Sequence, residues 1–168
     1  VQSEDELEQN FLSASREATT AFGNGSMFIE HYVDSPRHVE IQILADGTDA
    51  THLFERDCSV QRRHQKIIEE GPVTVAPRET CERLERGAVR LAKKVGYRGV
   101  GSVEYLYNIT TGAYSFLEVN PRLQVEHPVT ETITGVNLPA VQLQIAMGIP
   151  LHKMPHIRRF YGQTDALG

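Results

Sequence analysis

Residues 102–128, SVEYLYNITTGAYSFLEVNPRLQVEHP, contain the pattern from which the sheet is predicted. Two alternating runs, Ser102–Tyr107 and Tyr114–Val119, predict two strands joined by a turn at residues 108–112. The last part, residues 118–128, collects carboxylates, amides, a guanidinium and an imidazole. The segment therefore predicts an antiparallel hairpin that leads directly into a concentration of polar chemistry.

Polar side chains line one side of the second strand and of the residues that follow it. Because successive side chains of an extended chain point to opposite sides, Val125 is expected on the core side. Glu118 and Asn120 suit a hard, oxygen-ligated cation, and Arg122 suits an anion held beside it. The residues predicted to share the polar side are Glu118, Asn120, Arg122, Gln124 and Glu126. On these residues alone, a hydrogen-bonded strand end and a ligand site are equally open interpretations.

The turn determines which residues of the two strands lie opposite each other. A three-residue loop, Thr110–Gly112, places glycine where a left-handed conformation is needed. This loop makes Tyr107 the partner of Ser115, and the same register pairs Glu104 with Glu118. A slip of one residue would put the two carboxylates on opposite faces.

The paired carboxylates predict a metal site. Directly opposed residues have Cβ atoms ~5 Å apart, and two carboxylates at that distance repel unless a cation or a shared proton lies between them. Glu104, Glu118 and Asn120 are therefore predicted to form an all-oxygen site for Mg²⁺ or Mn²⁺.

A basic segment at residues 56–66 interrupts an otherwise acidic chain. No aromatic residue within it could stack on bases, so a small phosphate or carboxylate is favoured over nucleic acid as its partner. A metal beside an anion-binding segment indicates phosphoryl transfer. The chain contains neither a GxxxxGK[ST] nor a GxGxxG motif, so another framework must hold the phosphates.

The composition is that of a globular domain. The chain has 168 residues, a net charge of −5, 40% hydrophobic residues and 23% charged residues. No membrane span, signal peptide, nucleic-acid partner or disulfide is expected, and Cys58 and Cys81 are expected to be reduced thiols. Because the chain opens on Val1, it is expected to be a piece of a longer protein.

The remaining patterns predict an α+β fold with an antiparallel sheet and packed helices. Helices are expected at residues 3–22, with a Ser3–Glu6 capping box, at 78–95, and from Asn137 to Gly148. Strands are expected at 27–33, 38–45 and 51–54, and the tail from 152 to 168 is expected to be loosely ordered.

Two motifs resemble a known family. RDCSVQRRHQK at residues 56–66 and EVNPRLQVEHP at residues 118–128 resemble the two signatures of biotin carboxylase, the ATP-grasp component of the biotin-dependent carboxylases. GVNLPAVQLQIAMGIP at 135–150 and IRRFYG at 157–162 resemble the multidomain acetyl-CoA carboxylases within it. The resemblance extends over nearly the whole chain.

This resemblance implies the C-terminal portion of an ATP-grasp fold. Residues 1–32 would be the remainder of the lid subdomain, and residues 33–168 the main subdomain of biotin carboxylase, incomplete at both ends. The glycine-rich lid, two ATP-contacting lysines and a biotin-contacting arginine of the family would lie outside the chain. The fragment alone is therefore expected to be inactive.

The resemblance also implies a reaction. ATP would phosphorylate bicarbonate to carboxyphosphate, which breaks down to CO₂ and phosphate beside the ureido ring of biotin. The biotin would be carried by a biotinyl carrier domain outside this chain, in a homo-oligomeric protein of the cytoplasm or plastid that serves fatty acid synthesis. The alternatives are the same domain of a propionyl-CoA, pyruvate or urea carboxylase, or a non-catalytic nucleotide-binding module.

Roles for individual residues follow from the same resemblance. The metal ligands would be Glu104, Glu118 and Asn120. Bicarbonate would be held by Lys66, Arg122, Gln124 and the backbone of Val125. Glu126 would deprotonate bicarbonate, and Arg122 would stabilise the biotin enolate. The nucleotide would be contacted by the adenine hinge, Glu30, His31, Tyr32 and Val33, and by His38, Gln61, His64 and Leu106.

Overall fold

The chain divides into two compact units, Val1–Tyr32 and Val33–Gly168. The computed structural model describes Val1, residues 3–63 and residues 65–161. None of the described helices has the length and apolar character that crossing a membrane requires.

The first unit is built around one helix. A 3₁₀ turn, Glu4–Glu6, leads into α1 (Leu7–Phe22), which ends at Gly23 in a left-handed conformation with φ of 73°. The predicted capping box was wrong: Ser3 makes no side-chain capping bond, and Glu6 occupies the N-cap position of α1. The 3₁₀ turn is the reason, because it moves the start of the α-helix past Ser3.

The strand predicted at residues 27–33 was also wrong. Residues 24–33 have no regular secondary structure. An apolar, β-branched run becomes a strand only where its backbone pairs with another strand, and the described residues of the first unit offer it none.

An antiparallel sheet of five strands forms the centre of the second unit. The strands are β1 (Arg37–Asp46), β2 (Ala50–Arg62), β3 (Gln65–Glu70), β4 (Arg98–Tyr107) and β5 (Tyr114–Asn120). Their order is β3-β2-β1-β4-β5. The helices of this unit are α2 (Arg78–Lys94), α3 (His127–Thr134), α4 (Leu138–Ala146) and α5 (Pro155–Arg158). The predicted α+β class is confirmed.

The central strand β1 buries both of its faces. Val39 and Ile41 pack with Leu84 of α2 in a fully buried core. Glu40 and Gln42, which alternate with them, are 0% and 2% exposed and point to the opposite face. Because buried polar groups need hydrogen-bond partners, this second face must carry a polar network.

A second apolar core forms on the opposite face of the same sheet, because Leu44 lies on the side of β1 that Glu40 and Gln42 share. Leu44 and Val100 pack there with Met154, Ile157 and Phe160 from the end of the described chain. The prediction of a loosely ordered tail was therefore wrong for residues 152–161, and residues 162–168 lie outside the described part. The apolar residues recur every third position, which aligns them on one side of a 3₁₀ turn, Leu151–Lys153, and of α5.

Two further elements, β3 and α3, were not predicted, and β2 continues far beyond Phe54, the end predicted for it. The basic segment that forms the β2–β3 hairpin is polar at nearly every position, so it has no apolar alternation to mark a strand. α3 is short and rich in β-branched residues, which are weak helix formers.

The β4–β5 hairpin pairs Glu104 with Glu118 as predicted, but its turn and its register near the turn differ from the prediction. The turn is one residue longer than expected, with Gly112 N donating to Asn108 O, and Tyr107 pairs with Tyr114 rather than with Ser115. A bulge at Leu117 then inserts one unpaired residue into β5 and restores the carboxylate pair. The longer turn shifts the register by one residue, and the bulge shifts it back by one, so the predicted pairing of Glu104 with Glu118 is reached.

A buried carboxylate lies between β2 and α2. Glu55 is 2% exposed, and its Oε1 is 3.5 Å from Arg78 Nη1. Glu85 takes the shorter contacts from Arg78, at 2.9 and 3.0 Å. Burial and the neighbouring Glu85 carboxylate raise the pKa of Glu55 to about 7.

We expect Glu55→Gln to reduce the pH dependence of local stability. The native pKa of Glu55 lies above its ordinary value of 4.5, so its stabilising effect is complete below pH 4.5 and is lost as the pH rises through about 7. The loss should reach about 3 kcal/mol and should be absent from the variant. Hydrogen exchange of the β2 and α2 amides in the full-length protein, measured from pH 5 to pH 8, checks this. The control, Glu82→Gln, removes a half-exposed carboxylate of α2. Equal pH dependence in the wild-type protein, Glu55→Gln and Glu82→Gln would contradict the raised pKa of Glu55.

Candidate active site

Polar side chains from all five strands converge on the sheet face opposite α2. β1 and β4 are paired so that Glu40 lies opposite Glu104, and β1 and β2 so that Glu40 lies opposite Arg56. Lys66 of β3 and Asn120 of β5 reach the same group. The fold thus joins the basic segment to the carboxylates of the β4–β5 hairpin.

Lys66 lies at the centre of this face. Its Nζ is 2.9 Å from Glu40 Oε2, 3.0 Å from Glu104 Oε1 and 2.7 Å from Glu126 Oε1. Burial alone would lower the pKa of Lys66, but the surrounding carboxylates raise it above its ordinary value. Lys66 therefore stays positively charged at neutral pH.

The surroundings of Glu104 favour its ionised form. His38 Nε2 forms a short contact with its Oε2, and Asn120 Nδ2 donates to its Oε1 at 2.8 Å. Burial would raise the pKa of Glu104, but His38 and Lys66 outweigh burial and lower it to about 2. Glu104 is thus an anion throughout the physiological pH range.

The loop after β5 presents the remaining predicted residues. Gln124 is buried and forms a hydrogen bond with Ser102, whereas Arg122 is exposed and, among the described residues, donates only to the Leu123 carbonyl, at 3.3 Å. Val125 is 92% exposed, so its predicted place in the core was wrong. β5 ends at Asn120, and the two-residue alternation does not continue into the loop.

The predicted nucleotide-contacting residues fall into three groups. His38 lies opposite Leu106 in the ladder and contacts Gln61 Nε2 through its Nδ1 at 2.9 Å, so these three are brought together. Val33 opens the second unit, whereas Glu30, His31 and Tyr32 belong to the irregular segment that ends the first unit. His64 lies outside the described residues.

Sequence reasoning missed five polar residues that support this face. The missed residues are Glu40, Gln42, Arg56, Ser102 and Thr130, all of them buried. Arg56 is 0% exposed and contacts Glu40 Oε1 at 2.7 Å, Gln42 Oε1 at 2.6 Å and Thr130 Oγ1 at 2.6 Å. The alternation of β1 could have revealed Glu40 and Gln42, because polar residues that alternate with a buried apolar row lie on a second, common face.

The carboxylate and amide oxygens on this face are suitable ligands for a hard divalent cation. Glu118 lies opposite Glu104 in the ladder, is exposed, and makes no side-chain hydrogen bond or ion pair with any other described residue. Together with Glu40 and Glu126, these carboxylates give the face more negative charge than Lys66 can balance. Carboxylate and amide oxygens in excess of nearby cations suit Mg²⁺, which completes its shell with phosphate and water oxygens.

Comparison with known proteins identifies the family. Residues 1–154 match the family described as the carbamoyl-phosphate synthase L chain, ATP binding domain. The chain belongs to this family. It is also 55% identical, over 169 residues, to acetyl-CoA carboxylase 2 of Oryza sativa subsp. japonica, a match that covers 100% of this chain and 7% of that protein.

Solved structures place the chain more narrowly within the family. Biotin carboxylase of Campylobacter jejuni matches with a TM-score of 0.78 and 42% identity, covering 89% of this chain and 33% of that one. The biotin carboxylase domain of Hydrogenobacter thermophilus 2-oxoglutarate carboxylase, which holds MgADP, ADP and bicarbonate, matches with a TM-score of 0.79 and 43% identity. That match likewise covers 89% of this chain and 33% of the other. The chain is thus a biotin carboxylase-type ATP-binding domain that spans 7% of the length of its curated relatives.

Proposed function

We propose that this domain, within its full-length protein, catalyses the ATP- and bicarbonate-dependent carboxylation of biotin. The observation that carries the proposal is the position of Lys66, which the fold holds between Glu40, Glu104 and Glu126. Such a site offers a fixed cation for an anionic substrate and a carboxylate base next to it. The bicarbonate and MgADP held by the Hydrogenobacter domain at 43% identity support the same assignment.

The carboxylates of the hairpin are proposed to hold the metal–nucleotide complex. Glu104, Glu118 and Asn120 would bind Mg²⁺ or Mn²⁺, which, when bound, neutralises the charge that develops on the ATP phosphates. His38, Gln61 and Leu106 would contact the nucleotide, as would His64. Residues 1–32, proposed as the remainder of the lid subdomain, would contribute the adenine hinge through Glu30, His31 and Tyr32, with Val33 following.

The chemistry of bicarbonate is assigned to Lys66 and the loop after β5. Lys66, Arg122, Gln124 and the Val125 backbone would bind the anion, and Glu126 would remove its proton. Burial would raise the pKa of Glu126, but the hydrogen bond from Lys66 holds it below its ordinary value, so the carboxylate is ionised at neutral pH, as a general base must be before it accepts a proton. The deprotonated oxygen attacks the terminal phosphorus of ATP, releases ADP and forms carboxyphosphate.

The second half of the reaction is assigned to Arg122. Carboxyphosphate breaks down to CO₂ and phosphate beside biotin, and the released phosphate accepts the proton of the ureido N–H. The Arg122 guanidinium stabilises the enolate oxygen that results, while the deprotonated ureido nitrogen attacks CO₂. Arg122 makes no ion pair with another described residue, so its charge is available to an incoming oxyanion.

The setting of the domain is proposed from its relatives. A biotinyl carrier domain elsewhere in the protein would deliver biotin, in a homo-oligomeric acetyl-CoA carboxylase of the cytoplasm or plastid that supplies fatty acid synthesis. The main subdomain would be residues 33–168, and the 168-residue chain alone is expected to turn over no ATP. The Hydrogenobacter match favours a second candidate, in which the same domain serves a carboxylase with a different acceptor.

Steady-state kinetics of the full-length protein test the proposal. ADP release is expected to require Mg²⁺ and bicarbonate and to rise with biotin. Nucleotide binding without bicarbonate-dependent ADP release would instead identify a non-catalytic module. Acetyl-CoA, propionyl-CoA, pyruvate, 2-oxoglutarate and urea, supplied one at a time, then distinguish the possible acceptors.

A further inference from the structure

A closed ring of polar contacts joins three strands of the sheet to α3. Glu126 Oε1 lies 2.7 Å from Lys66 Nζ, and Lys66 Nζ lies 2.9 Å from Glu40 Oε2. Glu40 Oε1 accepts from Arg56 Nε at 2.7 Å, and Arg56 Nη1 donates to Thr130 Oγ1 at 2.6 Å. Thr130 is four residues after Glu126, on the same side of α3, so the helix itself closes the ring.

The two halves of the ring differ in their access to solvent. Arg56 and Thr130 are both 0% exposed, whereas Lys66 and Glu126 are partly exposed and belong to the proposed bicarbonate site. A hydrogen bond to a buried charged group is strong, and water does not readily replace a lost partner there. The buried half therefore anchors α3 to the sheet at a fixed position.

We propose that Arg56 and Thr130 are positioning residues that fix α3 against β2 and thereby hold the Glu126 carboxylate at Lys66. Glu126 is the N-cap residue of α3, so a shift of the helix by a fraction of a turn moves its carboxylate directly. Arg56 also fixes Glu40, the carboxylate that contacts Lys66 from the opposite side of the ring. The expected loss of kcat rests on the proposed function. The distance between Lys66 and Glu126 can be measured whether or not the protein has that function.

Three variants of α3 separate positioning from simple stability. Thr130→Val keeps the shape of the side chain and removes the acceptor of Arg56, whereas Thr130→Ser keeps the acceptor. Thr134→Val is the matched control, because the Thr134 hydroxyl donates to the Thr130 carbonyl at 2.6 Å and accepts from Val136 N at 3.2 Å. Thr134 is on the same helix and is 7% exposed, and the hydrogen bonds of the Arg56 side chain go to Glu40, Gln42 and Thr130 instead.

In the full-length protein, Thr130→Val is expected to lower kcat for bicarbonate-dependent ATP cleavage by about 10-fold or more, because a base displaced by ~1 Å loses much of its effect. KM for ATP should stay within about two-fold, since the residues proposed to contact the nucleotide, His38, Gln61 and Leu106, are not members of the ring. Thr130→Ser should restore kcat, and Thr134→Val should leave it near the wild-type value. Equal losses in Thr130→Val and Thr134→Val, or a failure of serine to restore kcat, would overturn the positioning role.

A cryo-electron microscopy structure of the full-length Thr130→Val protein provides the readout that does not depend on activity. The distance from Lys66 Nζ to Glu126 Oε1, 2.7 Å here, should lengthen by about 1 Å or more, the displacement from which the loss of kcat is expected. An unchanged distance overturns the inference even if the wild-type protein carboxylates biotin. A lengthened distance in a protein that does not carboxylate biotin would leave the positioning intact and reject the proposed function.

Discussion

Arg122→Ala is expected to abolish biotin carboxylation by the full-length protein while nucleotide affinity stays within a few fold. Removing one donor to a developing oxyanion lowers kcat by about 10²–10³-fold. Arg122 is exposed, and within the described part of the chain it donates only to the neighbouring Leu123 carbonyl, so its loss should not disturb the fold. Bicarbonate-dependent transfer of carbon to biotin, measured beside ATP affinity, separates the two effects.

The matched control for this prediction is Arg90→Ala. Arg90 is also an exposed arginine, but it lies on α2, which packs on the other face of the sheet. Its removal should leave turnover unchanged. Wild-type turnover in Arg122→Ala would eliminate the proposed role of this side chain.

Glu118→Gln is expected to weaken Mg²⁺-dependent ATP binding by about 10-fold or more. Even residues that only support metal ligands change metal affinity by about 10- to 100-fold, and Glu118 is proposed as a ligand itself. It has no side-chain partner among the described residues, so the amide should leave the β4–β5 hairpin intact. The effect should disappear when Mg²⁺ is removed.

Titrations of ATP with and without Mg²⁺ measure this effect. Glu79→Gln serves as the control, because Glu79 is an exposed carboxylate in the first turn of α2, on the other face of the sheet. If Glu118→Gln binds ATP as the wild-type protein does at every Mg²⁺ concentration, Glu118 is not a ligand.

The sequence predicts which carboxylates of the β4–β5 hairpin lie opposite each other, but not the turn and the bulge that bring them there. The pairing of Glu104 with Glu118 was correct, although the turn was one residue longer than expected and the bulge at Leu117 corrected the difference. Bulges depend on how a strand packs and twists against its neighbours, which a single strand sequence does not encode. The helices α2 and α4 were predicted closely because apolar periodicity and glycine stops are local signals.

The supporting network could not be predicted in the same way. Arg56 contacts Thr130 across 74 positions of the chain, and neither residue carries a local signal of that contact. Within the basic segment, Arg56 resembled its neighbours, but the fold buries it completely, whereas Lys66 faces the proposed bicarbonate site. Which cation of a cluster becomes internal depends on strand order and register, and these are properties of the whole sheet.

Transfer of labelled carbon from bicarbonate to biotin is the most direct measurement of whether this domain carboxylates biotin. The full-length protein, supplied with Mg²⁺, ATP, labelled bicarbonate and biotin, is expected to form carboxybiotin with one ADP released for each carbon transferred. Omission of ATP or substitution of Arg122 by alanine should prevent the transfer. ATP cleavage without label in biotin, or label transferred in the absence of ATP, would show that the domain does not catalyse ATP-dependent carboxylation of biotin.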